Sequence, residues 1–208
     1  MLIEPLSLGS TEALRGAFLD LELDVASSYY SFVYDSARQA REGQAAAFRA
    51  DGCEFGPPWA WVMVDGDRLV GLYSAVAGSA LRAIRLTSSM TLLRGPEATN
   101  PGTLERLRLA GRVSLKPDAS DLYLSRIGVV AHARGSGFGR TLLEHVVANA
   151  KDGGLARIVL EVDPRATPAV RLYESMRFKS LGEHAVTDSA SGRQYIRRWM
   201  ARQVTPAG

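Results

Sequence analysis

The sequence has a single cysteine, only three lysines and no long uninterrupted run of apolar residues. One cysteine, Cys53, excludes a disulfide within the chain and is typical of a reducing compartment. No stretch approaches the roughly 18 apolar residues that a membrane-spanning helix needs. The N-terminus has Glu4 and no basic region before an apolar run, so it does not resemble a secretory signal. We therefore expect a cytoplasmic protein without a membrane partner.

Positive charge is also sparse and scattered. The net charge is +3 at pH 7, and the arginines form no dense run interleaved with aromatic residues, so no nucleic-acid partner is expected. His132, His145 and His184 show no metal-ligand spacing, and we expect no metal. With 208 residues, 46% hydrophobic and 23% charged, the chain fits one globular domain with a sizeable core.

The first quarter of the chain has one strand-like and two helix-like patterns. Residues 1–8 are predicted to form a short strand. Ser10 or Thr11 is expected to cap the helix that follows, because a hydroxyl there can accept a hydrogen bond from a first-turn amide. The apolar stripe over residues 27–49 predicts a second helical region. Farther along the chain, His145 is expected on the surface of the helix that follows the glycine-rich loop.

A hairpin and an ambiguous segment come next. Asp65-Gly66-Asp67 joins two β-rich runs, 59–64 and 68–77, and this combination is a strong hairpin pattern. Residues 78–120 contain a short helical pattern at 104–109 and are otherwise hard to interpret. We consider two alternatives for this extra segment, a lid or an additional helical layer.

The C-terminal half has a clear β-α-β-α-β-β pattern. Thr167 is expected to cap its second helix, with Pro168 in the first turn. Gly153-Gly154 is expected to end the first helix. The predicted elements are, in order, 122–130, 137–150, 156–163, 167–176, 178–186 and 194–202.

The segment Ala133–Val146, ARGSGFGRTLLEHV, places Gly135, Gly137 and Gly139 between a strand and a helix. Glycines there allow successive backbone amides to face one concavity, and the helix start adds unpaired amides and a positive dipole end. We interpret this loop as a phosphate or pyrophosphate cradle flanked by Arg134 and Arg140. The alternative is a tight strand-to-helix turn that binds nothing.

Two familiar phosphate cradles fit this loop poorly. A P-loop needs Lys-Ser/Thr after its last glycine, whereas Gly139 is followed by Arg140-Thr141. A dinucleotide fingerprint needs glycine at position 140, which is also Arg140, although Glu161 lies about 20 residues on. A nucleotide-binding enzyme therefore remains only as a third hypothesis.

A third cradle matches. Arg134–Gly139 resembles Arg/Gln-x-x-Gly-x-Gly/Ala, the acetyl-CoA pyrophosphate loop of the GNAT superfamily of N-acetyltransferases. Ser125–Val129 resembles the family's fourth strand, and Ala156–Phe178 resembles its fifth strand and the following helix. The match is good over 121–180 and plausible over 59–77. The resemblance implies the α/β (α+β type) GNAT fold: a central mixed, mostly antiparallel sheet of six to seven strands with helices on both faces. It also implies one domain over 1–208, with the extra segment at about 78–120.

The resemblance implies where acetyl-CoA, the cosubstrate, binds. The fourth and fifth strands splay in this family, and the pantetheine arm lies in the gap. Gly128 is consistent with a bulge, a close backbone approach or simple packing. The implied cofactor-binding residues are Ile127, Gly128, Val129, Arg134, Gly135, Ser136, Gly137, Phe138, Gly139 and Arg140.

Two implied catalytic residues follow the loop. Tyr173 stands where family members carry the tyrosine that protonates the departing thiolate; its alternative is a helix tyrosine packed on the sheet. Glu161 stands where members similar to ribosomal-protein N-terminal acetyltransferases carry a general base; its alternative is a salt-bridged or edge-exposed glutamate. Whether Glu161 or a water relay is the base stays open. Cys53 is interpreted as incidental.

Two positions depart from the family pattern. Ala166 replaces a common asparagine that bonds near the cofactor arm. Arg177 replaces a usual glycine in the left-handed conformation, which would cost arginine about 1 kcal/mol, so the helix is expected to end differently here.

The favoured function is transfer of an acetyl group from acetyl-CoA to a primary amine by direct attack in a ternary complex. The acceptor is a small molecule or a protein amino group, and the protein is a monomer or homodimer. The first helices, residues 78–120 and the final hairpin are expected to form the acceptor pocket. The alternative is a non-catalytic acyl-CoA-binding sensor or regulatory module.

Overall fold

The computed structural model describes residues 1–7, 9–49, 54, 56–92 and 100–204. Cys53 lies outside the described residues. The elements, in chain order, are β1 (Leu2–Pro5), α1 (Glu12–Val25), α2 (Ser27–Val33), α3 (Ala37–Arg49), β2 (Ala60–Asp65), β3 (Arg68–Ala77), α4 (Gly78–Leu92), α5 (Pro101–Arg112), β4 (Asp121–Val129), a 3₁₀ turn (Ala131–Ala133), α6 (Phe138–Asp152), β5 (Arg157–Val162), α7 (Thr167–Ser175), β6 (Lys179–Thr187) and β7 (Gln194–Gln203).

The strands form a seven-stranded sheet in the order β1-β2-β3-β4-β5-β7-β6. Neighbouring strands pair antiparallel except β4 and β5, which pair parallel. A parallel pair needs a crossover connection, and α6 provides it. The expected mixed, mostly antiparallel sheet is confirmed, and so is the β-α-β-α-β-β order of the C-terminal half.

Helices cover both faces of this sheet because side chains alternate along β3. On one face, Leu72 belongs to a buried cluster with Phe18 of α1. On the other face, Tyr73 belongs to a buried cluster with Leu142 and Leu143 of α6. The two-sided packing was expected from the family resemblance, and it leaves both β4 and β5 enclosed in the middle of the molecule.

The first helix packs unusually close to β4. Its start is capped as expected, because the Thr11 hydroxyl accepts a hydrogen bond from the Leu14 amide at 3.2 Å. At its end, Val25 lies against Gly128, where a Cβ atom would be only 2.1 Å from a methyl carbon of Val25. Gly128 is therefore a position of close backbone approach. At an earlier point of β4, the register between β3 and β4 shifts: Ser74 pairs with Arg126 and Ala75 with Leu124, so that Ser125 has no partner on β3.

The single helical region expected over 27–49 consists of two helices, α2 and α3. The prediction of one helical region is therefore wrong. Tyr34 is extended at the end of α2. Ser36 then starts α3 by accepting a hydrogen bond from the Gln39 amide at 3.2 Å. A serine in that position caps a new helix, which explains the break.

Within its described residues, the extra segment forms a helical layer. The short helix expected at 104–109 is part of the longer α5, which starts at an Asn100 cap, and α4 was not predicted at all. Buried Arg106 holds α5 in place: its Nε donates to the Val33 carbonyl at 2.8 Å, and its Nη2 donates to Asp35 at 2.8 Å. The layer is thereby attached to the end of α2.

The start of α7 differs from the prediction by one residue. Thr167 is the first helical residue and not the cap; Ala166 occupies the cap position and offers no side-chain hydrogen bond. The chain turns earlier because Asp163 accepts hydrogen bonds from the amides of Arg165 and Ala166, each at 2.9 Å.

The end of α7 keeps the geometry that a glycine usually provides. Arg177 has φ +67°, in the left-handed region. The Phe178 amide reaches back to the Tyr173 carbonyl at 3.0 Å, and the Arg177 amide reaches back to Glu174 at 3.0 Å. The expectation that the helix ends differently is wrong: the arginine adopts the conformation at a cost of about 1 kcal/mol.

Candidate active site

The sheet opens in the middle, between β4 and β5. The two strands pair only from Asp121 with Arg157 to Leu124 with Leu160. Beyond that point β4 continues to Val129 with no pairing to β5, and the bulge at Ser125 marks the divergence. The Ser125 hydroxyl is hydrogen-bonded to the Ser74 carbonyl at 3.2 Å. The parting strands leave backbone groups of β4 unpaired on the side toward β5, so an extended ligand can add there as a strand does.

A cavity of about 630 Å³ lies at this opening. Its wall includes Ile127 of β4 and the two expected catalytic residues, Glu161 and Tyr173. Another part of the wall comes from elements expected to form the acceptor pocket: the start of α2, the helices α4 and α5, and the final hairpin. From those regions the wall includes Ser27, Ser28, Tyr29, Arg85, Leu104, Leu107, Gly111, Ser114, Tyr195 and Arg197.

The glycine loop lies beyond the end of β4. Gly135 and Gly137 have φ +82° and +86°, conformations that side chains disfavour. The amides of residues 135–139 donate no hydrogen bond to any group in the described part of the chain, whereas the Arg140 and Thr141 amides bond the Gly137 carbonyl at 2.9 and 3.2 Å. The unpaired amides and the start of α6 make a concavity that suits an anion.

The two arginines that flank the loop attach it to neighbouring helices. Arg134 contacts Asp24 of α1, and its Nε donates to the Val129 carbonyl at 3.0 Å. Arg140 contacts Ser175 at the end of α7 at 3.1 Å. Both arginines stay exposed, so their charge remains beside the loop while their hydrogen bonds hold it against α1 and α7.

Tyr173 of α7 is a buried phenol at the cavity wall. Its ring packs against Phe178 with centroids 5.7 Å apart, and its hydroxyl forms no hydrogen bond to another described residue. Burial raises the pKa of the Tyr173 hydroxyl well above its ordinary value. The phenol is therefore protonated at neutral pH and can serve as a proton donor.

Glu161 is the residue that follows Leu160, the last position at which β5 pairs with β4. Its Oε1 accepts hydrogen bonds from the Leu115 amide at 2.6 Å and from the Tyr123 hydroxyl at 3.3 Å. Burial raises the pKa of Glu161, although the Leu115 hydrogen bond and the charges of Arg85 and Arg197 act in the opposite direction. A carboxylate with a raised pKa is a stronger base. Its Oε1 is fixed by the two hydrogen bonds, whereas its Oε2 has no partner among the described residues and is the oxygen that can accept a proton.

A buried ion pair near the cavity was not found from the sequence. Arg126 of β4 donates to Glu22 of α1 at 2.6 Å, and Glu22 also accepts hydrogen bonds from Tyr30 and Gln44. The signal that could have revealed it is the position of Glu22 beside Phe18 and Leu21 on the apolar face of α1. A carboxylate there needs a buried cation.

The histidines do not form a metal site. His145 was expected on the surface of its helix, but it is half-buried, with Nδ1 2.8 Å from the Tyr73 hydroxyl; burial lowers the pKa of His145. Its position on α6 faces the aromatic residues of β2 and β3, which explains the error. Among the described residues, no three His, Cys, Asp or Glu side chains are grouped so that they could hold a metal ion.

Comparison with known proteins agrees with this arrangement. A mixed sheet with one parallel pair, and a glycine loop at the start of the crossover helix, is the arrangement that the resemblance to the GNAT family implied. The model of the acetyltransferase (GNAT) family matches residues 28–178. The chain therefore belongs to the GNAT family, the class of enzymes that take acetyl groups from acetyl-CoA.

Individual relatives are more distant. A 52-residue stretch is 44% identical to a mycothiol acetyltransferase of Thermobispora bispora, and it covers 25% of this chain and 18% of that protein. A solved structure described as an acetyltransferase is 21% identical, with a TM-score of 0.63 and coverage of 99% and 100% of the two chains. A Bacillus subtilis acetyltransferase in complex with CoA is 14% identical, with a TM-score of 0.52 and 98% coverage of each chain. At these identities the structural likeness shows the fold.

Of the helices described here, none is both long and apolar enough to span a membrane.

Proposed function

We propose that this protein is an N-acetyltransferase that moves an acetyl group from acetyl-CoA to a primary amine by direct attack in a ternary complex. The observation that carries the proposal is the separation of β4 from β5 after Leu124 and Leu160. Beyond this separation, Ile127 of β4 lines the same cavity as Glu161 and Tyr173, and the loop of unpaired amides at 135–139 follows β4 along the chain. An anion at the loop and an extended arm in the gap would place a thioester at that cavity.

The loop that follows β4 and the backbone of β4 each have groups suited to a part of CoA. The amides of Gly135 to Gly139, with the N-terminus of α6, suit the pyrophosphate. Backbone groups of Ile127 and the amide of Val129 suit the amides of the pantetheine arm, whereas the Val129 carbonyl already accepts a hydrogen bond from Arg134. Gly128 contributes differently, because its missing side chain lets Val25 close over β4.

Glu161 and Tyr173 supply the two proton transfers. An ammonium acceptor has no lone pair, so Glu161 first accepts a proton from it, directly or through water. The amine nitrogen then forms a bond to the thioester carbon, and the carbon–sulfur bond breaks. Tyr173 donates its hydroxyl proton to the departing thiolate, so that CoA leaves as a thiol. The acetylated nitrogen loses its remaining extra proton as the neutral amide forms, and that proton returns to the Tyr173 oxygen through water. Each group typically contributes about 10²- to 10⁴-fold to the rate.

A thiol-release assay tests the proposed function. The protein is incubated with acetyl-CoA and a panel of amines: free amino acids, amino acid amides, polyamines and short peptides. Thiol release and the N-acetyl product, identified by mass spectrometry, are expected with at least one amine. Binding of CoA with no acetyl transfer to any of these classes would contradict an enzymatic role and favour a CoA-binding module.

A further inference from the structure

One cation in the cavity wall, Arg197, has no salt-bridge partner among the residues that the structure describes. The cavity is lined by the arginines at 85, 108, 126, 165 and 197. The first four form salt bridges, to carboxylates at 54, 105, 22 and 163. Arg197 forms none within the described part of the chain. The charges of Glu161 and Asp163 act on Arg197 only from beyond salt-bridge distance, and a buried cation without a directly paired anion is costly.

The guanidinium of Arg197 is held by neutral groups. Its Nε donates to the Tyr195 hydroxyl at 2.5 Å, and its Nη1 donates to the Ser28 hydroxyl at 3.1 Å. Its central carbon also lies 4.3 Å from the centre of the Tyr195 ring. These contacts fix the orientation of the side chain, and the residue is buried, with only 8% of its surface exposed. Nη2 has no hydrogen-bond partner among the described residues and remains available to a ligand.

Arg197 lies on the same face of the sheet as Glu161. Glu161 of β5 pairs with Trp199 of β7, and Arg197 is two residues from Trp199, so its side chain emerges on the same side. Diagonal neighbours of this kind are about 7–8 Å apart at their backbones. The cavity thus offers a base and a free cation at a separation that one small molecule can span.

Resting on the proposed function, we propose that the acceptor is a free amino acid whose carboxylate binds Arg197 while its amine reaches Glu161. A carboxylate provides the missing counter-ion and accepts a charge-assisted hydrogen bond from Nη2. Tyr29, which lines the same cavity and packs edge-on against Tyr195 at 6.0 Å, is a second donor to that carboxylate. A peptide N-terminus has a neutral carbonyl at the corresponding place and leaves Arg197 unpaired.

Matched substrate pairs test this assignment. kcat/KM is measured for several amino acids, including leucine, phenylalanine and methionine, and for the corresponding amino acid amides and decarboxylated amines. For the preferred side chain, the free acid should exceed the amide and the decarboxylated amine by about 10- to 100-fold, as expected for a hydrogen bond between charged groups. Equal kcat/KM for acid and amide would overturn the proposal.

Two variants identify the residue responsible. Arg197→Met should reduce the acid-to-amide ratio to about one, mainly by raising KM for the acid, and Arg197→Lys should restore part of the ratio. Arg198→Met is the matched control, because Arg198 lies next along β7 on the opposite face and pairs with Glu183 at 2.7 Å. It should keep the wild-type ratio. An unchanged ratio in Arg197→Met, with CoA affinity retained, would also overturn the proposal.

A binding measurement separates this inference from the proposed function. In the presence of CoA, N-acetyl amino acids should raise the melting temperature more than N-acetyl amino acid amides, and Arg197→Met should abolish the difference. If no amine is acetylated but this difference is found, the transferase proposal fails and the carboxylate site stands. If acetylation occurs without any such difference, the carboxylate site fails and the transferase proposal stands.

Discussion

Gly137→Ala is the substitution that examines the glycine loop most closely. Gly137 has φ +86°, and a Cβ atom built there has no neighbour within 4 Å. The variant therefore meets no steric clash with the protein, and its effect comes from the backbone alone. An L-residue in the left-handed region costs about 1–2 kcal/mol.

The structure indicates where that cost should be observed. The amides at 135–139 have no hydrogen-bond partner in the described chain, so the left-handed φ at residue 137 is maintained mainly through the Gly137 carbonyl, which accepts hydrogen bonds from the Arg140 and Thr141 amides. The free protein should relax to a negative φ at residue 137, which turns the following amides away. CoA must then restore the left-handed conformation, and its Kd should rise by about 5- to 30-fold, the equivalent of 1–2 kcal/mol.

Gly154→Ala is the matched control. Gly154 also has a positive φ, +64°, and open space at its Cβ position, but it follows α6 at the end opposite the loop. Its conformation is held by hydrogen bonds from the Gly154 amide to Lys151 at 3.0 Å and from the Leu155 amide to Ala150 at 2.9 Å. The strain should therefore lower the melting temperature by about 2–4 °C per kcal/mol and leave CoA affinity unchanged.

Isothermal titration calorimetry with CoA and thermal melts of the three proteins complete the test. A wild-type Kd in Gly137→Ala, or an equal loss of affinity in both variants, would refute the assignment of the loop to the CoA pyrophosphate.

Three further substitutions test other parts of the account. Tyr173→Phe should lower kcat by about 10²- to 10⁴-fold. CoA affinity and melting temperature should be unchanged, because the Tyr173 hydroxyl makes no hydrogen bond with the described residues. Loss of CoA binding, measured by calorimetry, would argue against a proton-donor role. Glu161→Gln should lower kcat/KM and raise stability at pH 8. Since burial raises the pKa of Glu161 above its ordinary 4.5, the wild type loses stability as pH rises through the raised pKa, whereas below pH 4.5 the two proteins should melt together. Gly128→Ala should destabilise by about 1–3 kcal/mol because its Cβ would lie 2.1 Å from Val25; an unchanged denaturant midpoint would show that α1 moves away freely.

Local patterns were sufficient to predict the elements on which the proposed CoA site is built. The hairpin at Gly66, the loop from Gly135 to Gly139 and the helix carrying Tyr173 each have a short-range signal, either a turn residue, a cap or an alternation of apolar positions. The mixed, mostly antiparallel sheet and the splay between β4 and β5 followed from the family resemblance. Their separation after Leu124 depends on the bulge at Ser125, which has no composition signal of its own.

The acceptor side could not be predicted to the same depth because its contacts are long-range. The Leu115 amide that orients Glu161 is 46 residues away in the chain, and Ser28, which holds Arg197, is 169 residues away. No periodicity connects such positions. The break between α2 and α3 was missed for a different reason: the apolar stripe continues on both sides of the Ser36 cap.

The backbone amides of residues 135–139 provide the most direct measurement of the central claim. In a titration of ¹⁵N-labelled protein with CoA, the amide resonances from Gly135 to Gly139 should shift strongly and lose solvent exchange, together with those of Ile127 and Val129. Resonances that stay in place at saturating CoA, or shifts confined to surfaces remote from the β4–β5 gap, would contradict it.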